Sequence, residues 1–487
     1  MIAMLYLGLD IGTSAVKAVI VDERETVLAE SEQPLSLSRP GPGLSEQNAD
    51  DWIGAIEAIL TRWRAEQPAL LAGVEGIGLS GQMHGSVCLD AEDRPLGPVM
   101  LWNDGRAAAE AAELNREHPE LAWQLGVPAA PGFTAPKLLW LARHQPALRA
   151  RLKRVLLPKD FVRLWLTGEH VSEMSDAAGS WWLDQARRDW SDAALAATGV
   201  ERSQVPRLIE GTEISGRLRP ALASRLGFKP GIPVAGGAGD AMAGAIGIGT
   251  IADGAFLSIG TSGQFFVPGT DYRPLPDKFL HTFCHAVPGH WVQMAALLNG
   301  ASCLAWAAGL VGEPIEKLLA DVAAQPSGPG RVMFLPYLAG ERTPHNDPEA
   351  TGLFTGMTGG TGKADLIRAV LEGVAYSFAD AAACLAEAGT ELSEAAVIGG
   401  GARSALWVQV LADVLGLRLK RYRGGEKGPA FGAARLARAA ASGEPITAIA
   451  TKPPILDVAE PRPELTQAYA EKVAAFRRLY QATRAAR

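Results

Sequence analysis

The chain has 487 residues, a length that predicts two large domains or three smaller ones and disfavours a single small binding module. Hydrophobic residues make up 48% and charged residues 20%, a composition typical of folded proteins and unlike that of disordered ones. Lys and Arg number 46 against 53 Asp and Glu, and this net charge of −7 disfavours a nucleic-acid partner.

The N-terminal residues lack the basic region and the small-residue cleavage pattern of a signal peptide, so we expect them to lead into a first strand. Four widely spaced cysteines without a Cys-x-x-Cys pair favour a reducing compartment, and we expect a cytoplasmic protein. The long uncharged window over 290–312 is interrupted by Gln293, Asn299 and Gly300. We therefore predict a buried helix there and no membrane span.

Short apolar runs alternate with longer helix-like stretches along most of the chain, which predicts an α/β fold. At the N-terminal end they predict three strands, then a helix, then a further strand, over 5–10, 16–22, 26–30, 52–66 and 74–79. A C-terminal helix is predicted over 464–487 because its apolar residues recur every three or four positions.

The tetrapeptide Ile-Gly-Thr-Ser occurs twice, at 11–14 and at 259–262, and each copy lies between two apolar runs. This repetition indicates two related domains. We place the boundary within 244–253, which divides the chain into domains of 1–245 and 246–487.

The first Gly-Thr-Ser turn follows Asp10, at the end of a predicted strand. A carboxylate there can hold Mg²⁺ directly or through water, while Gly12 lets backbone N–H groups approach phosphate oxygens and Thr13 adds a hydroxyl donor. The alternative is a hairpin in which Asp and Gly only shape the turn. The second copy, with Ser258 in place of Asp10, favours a nucleotide bound between two such loops.

Three glycines at 399–401 follow an apolar run over 395–398 and precede a helical stretch over 405–415. Glycines between a strand and a helix N-terminus let the backbone approach a phosphate or a flat ring, although an empty tight turn has the same pattern. The sequence contains no G-x-x-x-x-G-K-[ST] motif, so a nucleotide would not be bound by a Walker loop.

Asp240 follows an apolar run and glycines at the start of a helix rich in small residues. It is either an N-cap or a general base that accepts the proton of an attacking hydroxyl group in phosphoryl transfer. Gly-Gln-Met-His-Gly at 81–85 and Leu-Trp-Asn-Asp-Gly-Arg at 101–106 are polar clusters that favour a sugar or polyol pocket. His281 and His285 are four residues apart without a His-Glu-x-x-His pattern, so zinc is not expected.

Together these segments resemble the FGGY family of carbohydrate kinases along essentially the whole chain. The stretch 132–144 is similar to the first signature of the family, and 352–357 with 371–373 is similar to the second. Five further segments occur in the order found in family members that phosphorylate D-xylulose: 81–85, 101–106, Leu-Pro-Lys-Asp at 157–160, Ser-Asp-Ala-Ala-Gly at 175–179, and Gly-Glu-Arg-Thr-Pro-His at 340–345.

The resemblance implies two ribonuclease-H-like domains of the actin-like ATPase fold, with a ketopentose and MgATP bound in the cleft between them. The implied reaction transfers the γ-phosphoryl group of ATP to the 5-hydroxyl of D-xylulose. Asp240 corresponds to the catalytic base, which also contacts the sugar, and Asp10 to the residue near Mg²⁺. The other predicted sugar-binding residues are Met83, His84, Trp102, Asn103 and Asp104. The predicted ATP-binding residues are Thr13, Lys17, Gly260, Thr261, Gly300, Gly400, Gly401 and Ala402.

One departure concerns the residue after the base, where D-xylulose kinases usually carry Asn and this chain has Ala241. Losing a polar partner for a sugar hydroxyl costs about 1–2 kcal/mol, enough to shift the preference among ketoses. A kinase for ribulose, gluconate or glycerol is therefore an alternative. An actin-like ATPase that switches a protein-binding surface is the alternative from another class, and it lacks the extra binding domain expected of it. Enzymes of this kind are commonly dimers, so a homodimer is an expectation.

Overall fold

The computed structural model describes residues 4–252, 254–423 and 427–487. The strands of the first half are β1 (Leu5–Ile11), β2 (Ala15–Asp22), β3 (Val27–Pro34), β4 (Glu46–Gln47), β5 (Val74–Gly81), β6 (Val87–Leu89), β7 (Val99–Met100), β8 (Arg154–Leu156), β9 (Val171–Glu173), β10 (Leu183–Asp184), β11 (Asp189–Trp190), β12 (Arg207–Ile209), β13 (Ile214–Arg217), β14 (Pro233–Ala235) and β15 (Ala238–Gly239). Its helices are α1 (Ala49–Glu66), α2 (Pro68–Ala72), α3 (Ala108–Glu117), α4 (Leu121–Leu125), α5 (Thr134–His144), α6 (Pro146–Arg151), α7 (Pro158–Thr167), α8 (Met174–Ala178), α9 (Asp192–Ala197), α10 (Pro220–Leu226) and α11 (Asp240–Gly247).

The strands of the second half are β16 (Phe256–Ile259), β17 (Gly263–Gly269), β18 (His281–Cys284), β19 (Trp291–Leu297), β20 (Met333–Leu335), β21 (Leu353–Thr355), β22 (Glu394–Ile398), β23 (Arg418–Tyr422) and β24 (Ile455–Ala459). Its helices are α12 (Ala301–Val311), α13 (Ile315–Ala323), α14 (Lys363–Glu387), α15 (Ala405–Leu415), α16 (Pro429–Ser442), α17 (Ile446–Ile449) and α18 (Pro463–Ala485).

Each half is built around one seven-stranded sheet, and the two sheets share a strand order. The first runs β13-β14-β5-β1-β2-β3, with β15 as a seventh strand that also pairs with β5, and the second runs β24-β23-β22-β16-β17-β19-β18. In both, the strand before the Gly-Thr-Ser turn lies between an antiparallel hairpin partner and a parallel strand from later in the sequence. The repeated topology confirms the predicted α/β fold with two related parts.

Helix α16 belongs to the second half of the sequence but packs on β1 and β5 of the first sheet. Glycines make this contact close: a Cβ on Gly8 or Gly78 would overlap the backbone carbonyl of Ala430 or Ala433. Gly432 faces Ala243 of α11 in the same way. The two halves are thus tied together by a helix, and the division of the chain at 245 stays a prediction, since part of its proposed interval, Asp253, lies outside the described residues.

Several predicted elements are confirmed. The first strand is β1, the helix predicted over 405–415 is α15, and the C-terminal helix is α18. The apolar residues that predicted α18 are all buried, namely Tyr469, Val473, Phe476 and Tyr480. Helical spacing therefore identified the face of α18 that packs into the core.

The helix predicted over 290–312 is wrong for its first part. Strand β19 occupies most of that part, and only α12 is helical. The side chains of β19 from Ala295 to Leu297 alternate between buried and partly exposed, as the period of a strand requires, and Asn299 and Gly300 separate the strand from the helix. Helix α12 is also not fully buried, since 68% of Leu310 is exposed.

Among the described helices, α14 alone is long and apolar enough to cross a membrane. It lies in the core of the second half, where 78% of its most apolar window is buried by the rest of the protein. This burial is typical of the core helix of a folded domain.

Candidate active site

A cleft of about 570 Å³ lies between the two halves of the chain. The first half lines it with Met83, His84, Trp102, Asp240 and Ala241. The second half contributes Ser258, Gly260, Ser262, Gln264, Met294 and Arg342, among others. Four predicted sugar-binding residues therefore meet one predicted phosphate-loop residue across a single cleft.

Asp240 is the first residue of α11, and its Oδ1 accepts a hydrogen bond from the backbone N–H of Ala241 at 2.8 Å. The N-cap of this helix is Gly239, so the simple capping role considered for Asp240 is not the one observed. Burial raises the pKa of Asp240, and the negative charge of Asp10 raises it further, to about 7. A carboxylate with a pKa near neutrality is suited to accept a proton as a general base.

Asp10 lies near the carboxyl end of β1, beside Ser80 on the parallel strand β5 and opposite Lys17 on β2. Ser80 Oγ donates to Asp10 Oδ1 at 3.0 Å. Burial raises the pKa of Asp10 to about 6, against the opposing effects of the Ser80 hydrogen bond and the Lys17 charge. Lys17 lies near Asp10, the predicted metal residue, because the two are paired across the β1–β2 hairpin.

The buried carboxylate of Asp10 and the partly buried carboxylate of Asp240 form a donor set that fits a hard divalent cation. Mg²⁺ prefers carboxylate oxygens and retains several water ligands, so it does not need a cage of protein groups. In the described ranges no group of three or more His, Cys, Asp or Glu side chains could hold a metal ion. Asp10 and Asp240 therefore fit a Mg²⁺ ion held mainly by water and phosphate oxygens.

The loop after β5 presents Met83 and His84 to the cleft, and His84 has a left-handed backbone with φ 70°. Its Nδ1 lies 2.6 Å from the carbonyl oxygen of Gly179, while burial lowers its pKa to about 3. The ring is therefore neutral near pH 7, Nδ1 carries the proton that it donates to Gly179, and Nε2 is left as an acceptor. Such an acceptor suits the hydroxyl group of a sugar.

Lys137 of α5 holds this loop in place, and its ammonium group is fully buried. Its Nζ donates to the carbonyl oxygens of His84 at 2.9 Å and Met100 at 3.1 Å. Thr134 Oγ1 donates to the same His84 carbonyl at 3.1 Å. The first signature thus has a structural role: it anchors the backbone that carries the sugar-facing side chains. The sequence contained this residue only as part of a signature and gave it no role.

Thr13 is joined to the sugar side of the cleft by side-chain hydrogen bonds. Its hydroxyl accepts from Trp102 Nε1 at 3.0 Å and donates to Gln82 Oε1 at 3.0 Å. Gln82 Nε2 in turn donates to Gln47 Oε1 at 2.8 Å. Because a hydroxyl has one proton, Thr13 cannot also donate to a phosphate in this arrangement, and the backbone N–H groups of the loop are the better candidates.

Two predicted sugar-binding residues do not line the cleft. Asn103 is exposed, and Asp104 is buried in an ion pair with Arg106 at 2.7 Å. Asp104 Oδ2 also accepts from the backbone N–H of Ser45 at 2.8 Å. Burial opposes ionisation of Asp104, but the bonds from Arg106 and Ser45 outweigh it and lower the pKa of Asp104. Both oxygens of the Asp104 carboxylate are therefore bonded to groups of the protein itself, and its sugar-binding role stays a prediction.

The predicted nucleotide-binding glycines converge around the second Gly-Thr-Ser turn. The backbone N–H of Gly300 donates to Thr261 O at 3.1 Å, and that of Ala301 to Gly260 O at 2.7 Å. A Cβ on Gly401 would lie 2.5 Å from a methyl carbon of Ile259, directly before the turn. Gly260, Thr261, Gly300 and the glycine triplet therefore share one end of the cleft region.

The glycine triplet does not enter α15 directly, as the sequence pattern suggested. Gly400–Arg403 form a 3₁₀ turn that includes Ala402, and Ser404 caps α15 by accepting from the backbone N–H of Trp407. The intervening turn arises because Gly399 has a positive φ of 86° that redirects the chain.

A fully buried charge cluster lies behind Asp240. Lys159 Nζ is 2.8 Å from Asp160 and 3.4 Å from Asp176, and Arg163 donates to the carbonyl oxygens of Ala235 and Gly236 at 2.8 and 2.6 Å. Arg163 thereby holds the backbone that leads to the base. The sequence analysis contained Lys159 and Asp160 only as part of the Leu-Pro-Lys-Asp segment, and their role became visible only in the structure.

Models of the FGGY family of carbohydrate kinases match residues 5–247 for the N-terminal domain and 255–441 for the C-terminal domain. The chain is 44% identical to a xylulose kinase of Escherichia coli strain K12 over 480 residues, 98% of this chain and 99% of that protein. It is 46% identical to a xylulose kinase of Klebsiella pneumoniae over 442 residues, 90% of this chain and 91% of that protein.

The structure is also similar to the crystal structure of a xyloylose kinase from Brucella ovis, with a TM-score of 0.96 and 45% identity over 99% of this chain and 100% of that one. A gluconate kinase from Lactobacillus acidophilus, at 23% identity and a TM-score of 0.92, shares the fold. The two family models together match most of the sequence, and the structure has a cleft between the two matched parts. This chain belongs to the FGGY family of carbohydrate kinases.

Proposed function

We propose that the protein transfers the γ-phosphoryl group of ATP to the 5-hydroxyl of D-xylulose, giving D-xylulose 5-phosphate and ADP. The observation that carries this proposal is the position of Asp240, with a pKa near 7, in a cleft that also presents Met83, His84 and the second phosphate loop. The full-length relatives named xylulose kinase support D-xylulose as the acceptor.

In the proposed mechanism, Asp240 accepts the proton of the C5 hydroxyl as its oxygen attacks the γ-phosphorus. The backbone N–H groups of Thr13 and of the loop at 260–262 bind phosphate oxygens and stabilise their charge, whereas the N–H of Gly12 donates to Ala15 O within the turn. Asp10 would hold Mg²⁺, which when bound neutralises charge on the phosphates. Met83 supports the carbon chain, and Nε2 of His84 accepts a hydrogen bond from a sugar hydroxyl group.

Closure of the cleft around both substrates excludes water, which would otherwise compete with the sugar as acceptor. Sugar binding should therefore favour transfer over slow ATP hydrolysis. The test is to identify the product by phosphorus NMR after incubation with ATP, Mg²⁺ and D-xylulose. Phosphate at C5 supports the proposal, whereas equal ADP release with and without sugar and no sugar phosphate would contradict it.

A kinase for ribulose, gluconate or glycerol is the second candidate, and Ala241 is the observation that favours it. This residue lines the cleft beside the base and offers no side-chain hydrogen bond to a sugar. A panel of acceptors at equal concentration separates these substrates. An ATPase switch would instead show turnover that no small acceptor changes.

We further propose that the protein acts in the cytoplasm, a location supported by its four cysteines, none of which forms a disulfide. Its two domains are proposed to divide near residue 245, and a homodimer is proposed as its assembly. Light scattering of the purified protein tests the assembly directly.

A further inference from the structure

Arg342 reaches the cleft from the second half of the chain, opposite Met83 and His84. Burial lowers the pKa of Arg342, although the charge of Glu341 opposes this effect. In the described part of the chain its backbone N–H donates to Glu341 Oε1, but its guanidinium group has no hydrogen-bond or ion-pair partner. A largely buried cation without a partner is unfavourable, so a ligand is the expected source of its acceptors.

The backbone on both sides of Arg342 is fixed to neighbouring strands. Glu341 Oε1 accepts from the backbone N–H of Leu298 at 2.7 Å. Thr343 donates its backbone N–H to Ala296 at 3.1 Å and its hydroxyl to Phe279 O at 2.9 Å. A side chain on a segment held in this way is positioned before any ligand arrives, which reduces the entropy cost of binding.

The residue after Arg342, Thr343, donates to Phe279 O, and the Phe279 ring contacts His281. Phe133 contacts both His281 and His84. This run of contacts connects the segment of Arg342 to the His84 end of the cleft.

The charge of Arg342 lowers the pKa of His84 and of His281, whereas the pKa of Asp240 responds to burial and to Asp10. A ketose whose terminal hydroxyl lies at Asp240 therefore extends its other end toward His84 and Arg342.

We propose that Arg342 determines acceptor specificity by donating hydrogen bonds to the carbonyl oxygen and the adjacent hydroxyl oxygen at the C1–C2 end of the ketose. This inference rests on the proposed function. A guanidinium group only donates and a ketone oxygen only accepts, so the pair is matched, and the fork of donors spans two adjacent oxygens. Arg342 thereby supplies a polar partner in a cleft where Ala241 offers none.

The test uses Arg342→Gln and Arg342→Lys, with Arg331→Gln as the matched control at an exposed arginine of the same half. For Arg342→Gln we expect KM for D-xylulose to rise about 10- to 100-fold, the usual effect of losing charged hydrogen bonds. KM for ATP and the rate of ATP hydrolysis without sugar should stay within about twofold. Arg342→Lys keeps the charge but loses the fork, so it should rescue only part of the loss.

Two further readouts separate this role from a structural one. Arg342→Met should keep or raise the melting temperature, because it removes an unpaired buried cation, whereas a structural arginine would lower it. Inhibition constants of xylitol and D-arabinitol, which have hydroxyl groups but no carbonyl group at this end, should rise by a smaller factor in Arg342→Gln than KM for D-xylulose does. Equal losses for D-xylulose and these polyols, or no loss for D-xylulose, would overturn the proposal.

The same experiment distinguishes failure of the specificity role from failure of the proposed function. A native enzyme that prefers another acceptor overturns the proposed function, and Arg342→Gln is then measured with that acceptor. If that acceptor is a ketose, a rise in its KM without a change in KM for ATP supports Arg342 as the residue that binds the carbonyl end of the sugar. An equal loss with an acceptor that has no carbonyl group overturns the carbonyl contact.

Discussion

Asp240 and Asp10 lie on different elements of the first half, and the charge of Asp10 adds to the burial of Asp240 in raising its pKa to about 7. Asp10 itself has a pKa of about 6, chiefly because of burial. Both carboxylates are thus harder to ionise than an exposed aspartate, and Asp240 more so than Asp10. This difference supports the proposed division of roles, in which Asp240 accepts the proton and Asp10 holds the cation.

The first prediction concerns the pH dependence of phosphoryl transfer. A base must be deprotonated to act, so kcat/KM for the sugar should rise about tenfold per pH unit below pH 7 and level off above it. His84, with a pKa of about 3, should contribute no step in this range. Initial rates between pH 5 and pH 9 at saturating MgATP measure the profile. A flat profile across pH 5.5–8 would contradict the assignment of the base.

The second prediction concerns stability without metal. Because the pKa of Asp240 is raised on folding, its favourable contribution is complete below the unfolded value near 3.8 and is lost as the pH rises through about 7. Asp240→Asn should therefore gain melting temperature over the native protein at pH 8, by roughly 1–3 °C, and gain little or nothing at pH 5.

Calorimetry in EDTA at both pH values measures this difference. The matched control is Asp51→Asn, which changes an exposed carboxylate on α1. Its effect on melting temperature should be the same at pH 5 and pH 8. If Asp240→Asn changes the melting temperature equally at pH 5 and pH 8, ionisation of Asp240 does not destabilise the folded protein.

The third prediction concerns the anchor of the sugar-binding loop. Lys137→Met removes two charge-assisted hydrogen bonds, to the carbonyl oxygens of His84 and Met100, at about 1.5–3 kcal/mol each. The two oxygens then keep only the bonds from Thr134 Oγ1 and from the backbone N–H of Ser86. We expect a lower melting temperature and a KM for the sugar raised at least about tenfold, with KM for ATP nearly unchanged. Lys153→Met, at an exposed lysine, should change neither quantity. An unchanged sugar KM in a folded Lys137→Met protein would refute the anchoring role.

The fourth prediction concerns the contact between the halves. Gly78→Ala places a Cβ against the carbonyl of Ala433, so α16 must move away from the first sheet. Such overpacking costs about 1–3 kcal/mol. Gly54→Ala is the control, because a Cβ there on α1 has nothing within 4 Å and Ala favours a helix. Urea titration should show a loss for Gly78→Ala only; equal midpoints would mean that the contact is easily relaxed.

Local patterns predicted the elements whose periodicity is clear. Strand β1 and helices α15 and α18 follow from apolar runs and helical spacing, which depend only on neighbours in sequence. The window at 290–312 was misassigned because an uncharged run has the same composition in a buried strand as in a helix. The partly exposed positions of β19 are themselves occupied by uncharged residues such as Met294 and Ala296, so the sequence shows no alternation of polar and apolar residues there.

The sequence could indicate Asp10 and Asp240 as candidate site residues because each lies in a recognisable local motif. The remaining features of the site depend on contacts between distant segments, which no local pattern specifies. The bond between Trp102 and Thr13 joins residues 89 positions apart, and Arg342 enters the cleft from the other half. The packing of α16 on β1 likewise became visible only in the fold.

The most direct test of the central claim is ADP release coupled to sugar-phosphate detection for the native chain and Asp240→Ala, with D-xylulose, D-ribulose, L-ribulose, L-xylulose, gluconate and glycerol as acceptors. We predict strong preference for D-xylulose and a loss of about 10²–10⁴-fold in kcat for Asp240→Ala, with sugar binding retained. Sugar phosphate formed equally well by native protein and Asp240→Ala would contradict the role of the base, and a preferred acceptor other than D-xylulose would contradict the substrate.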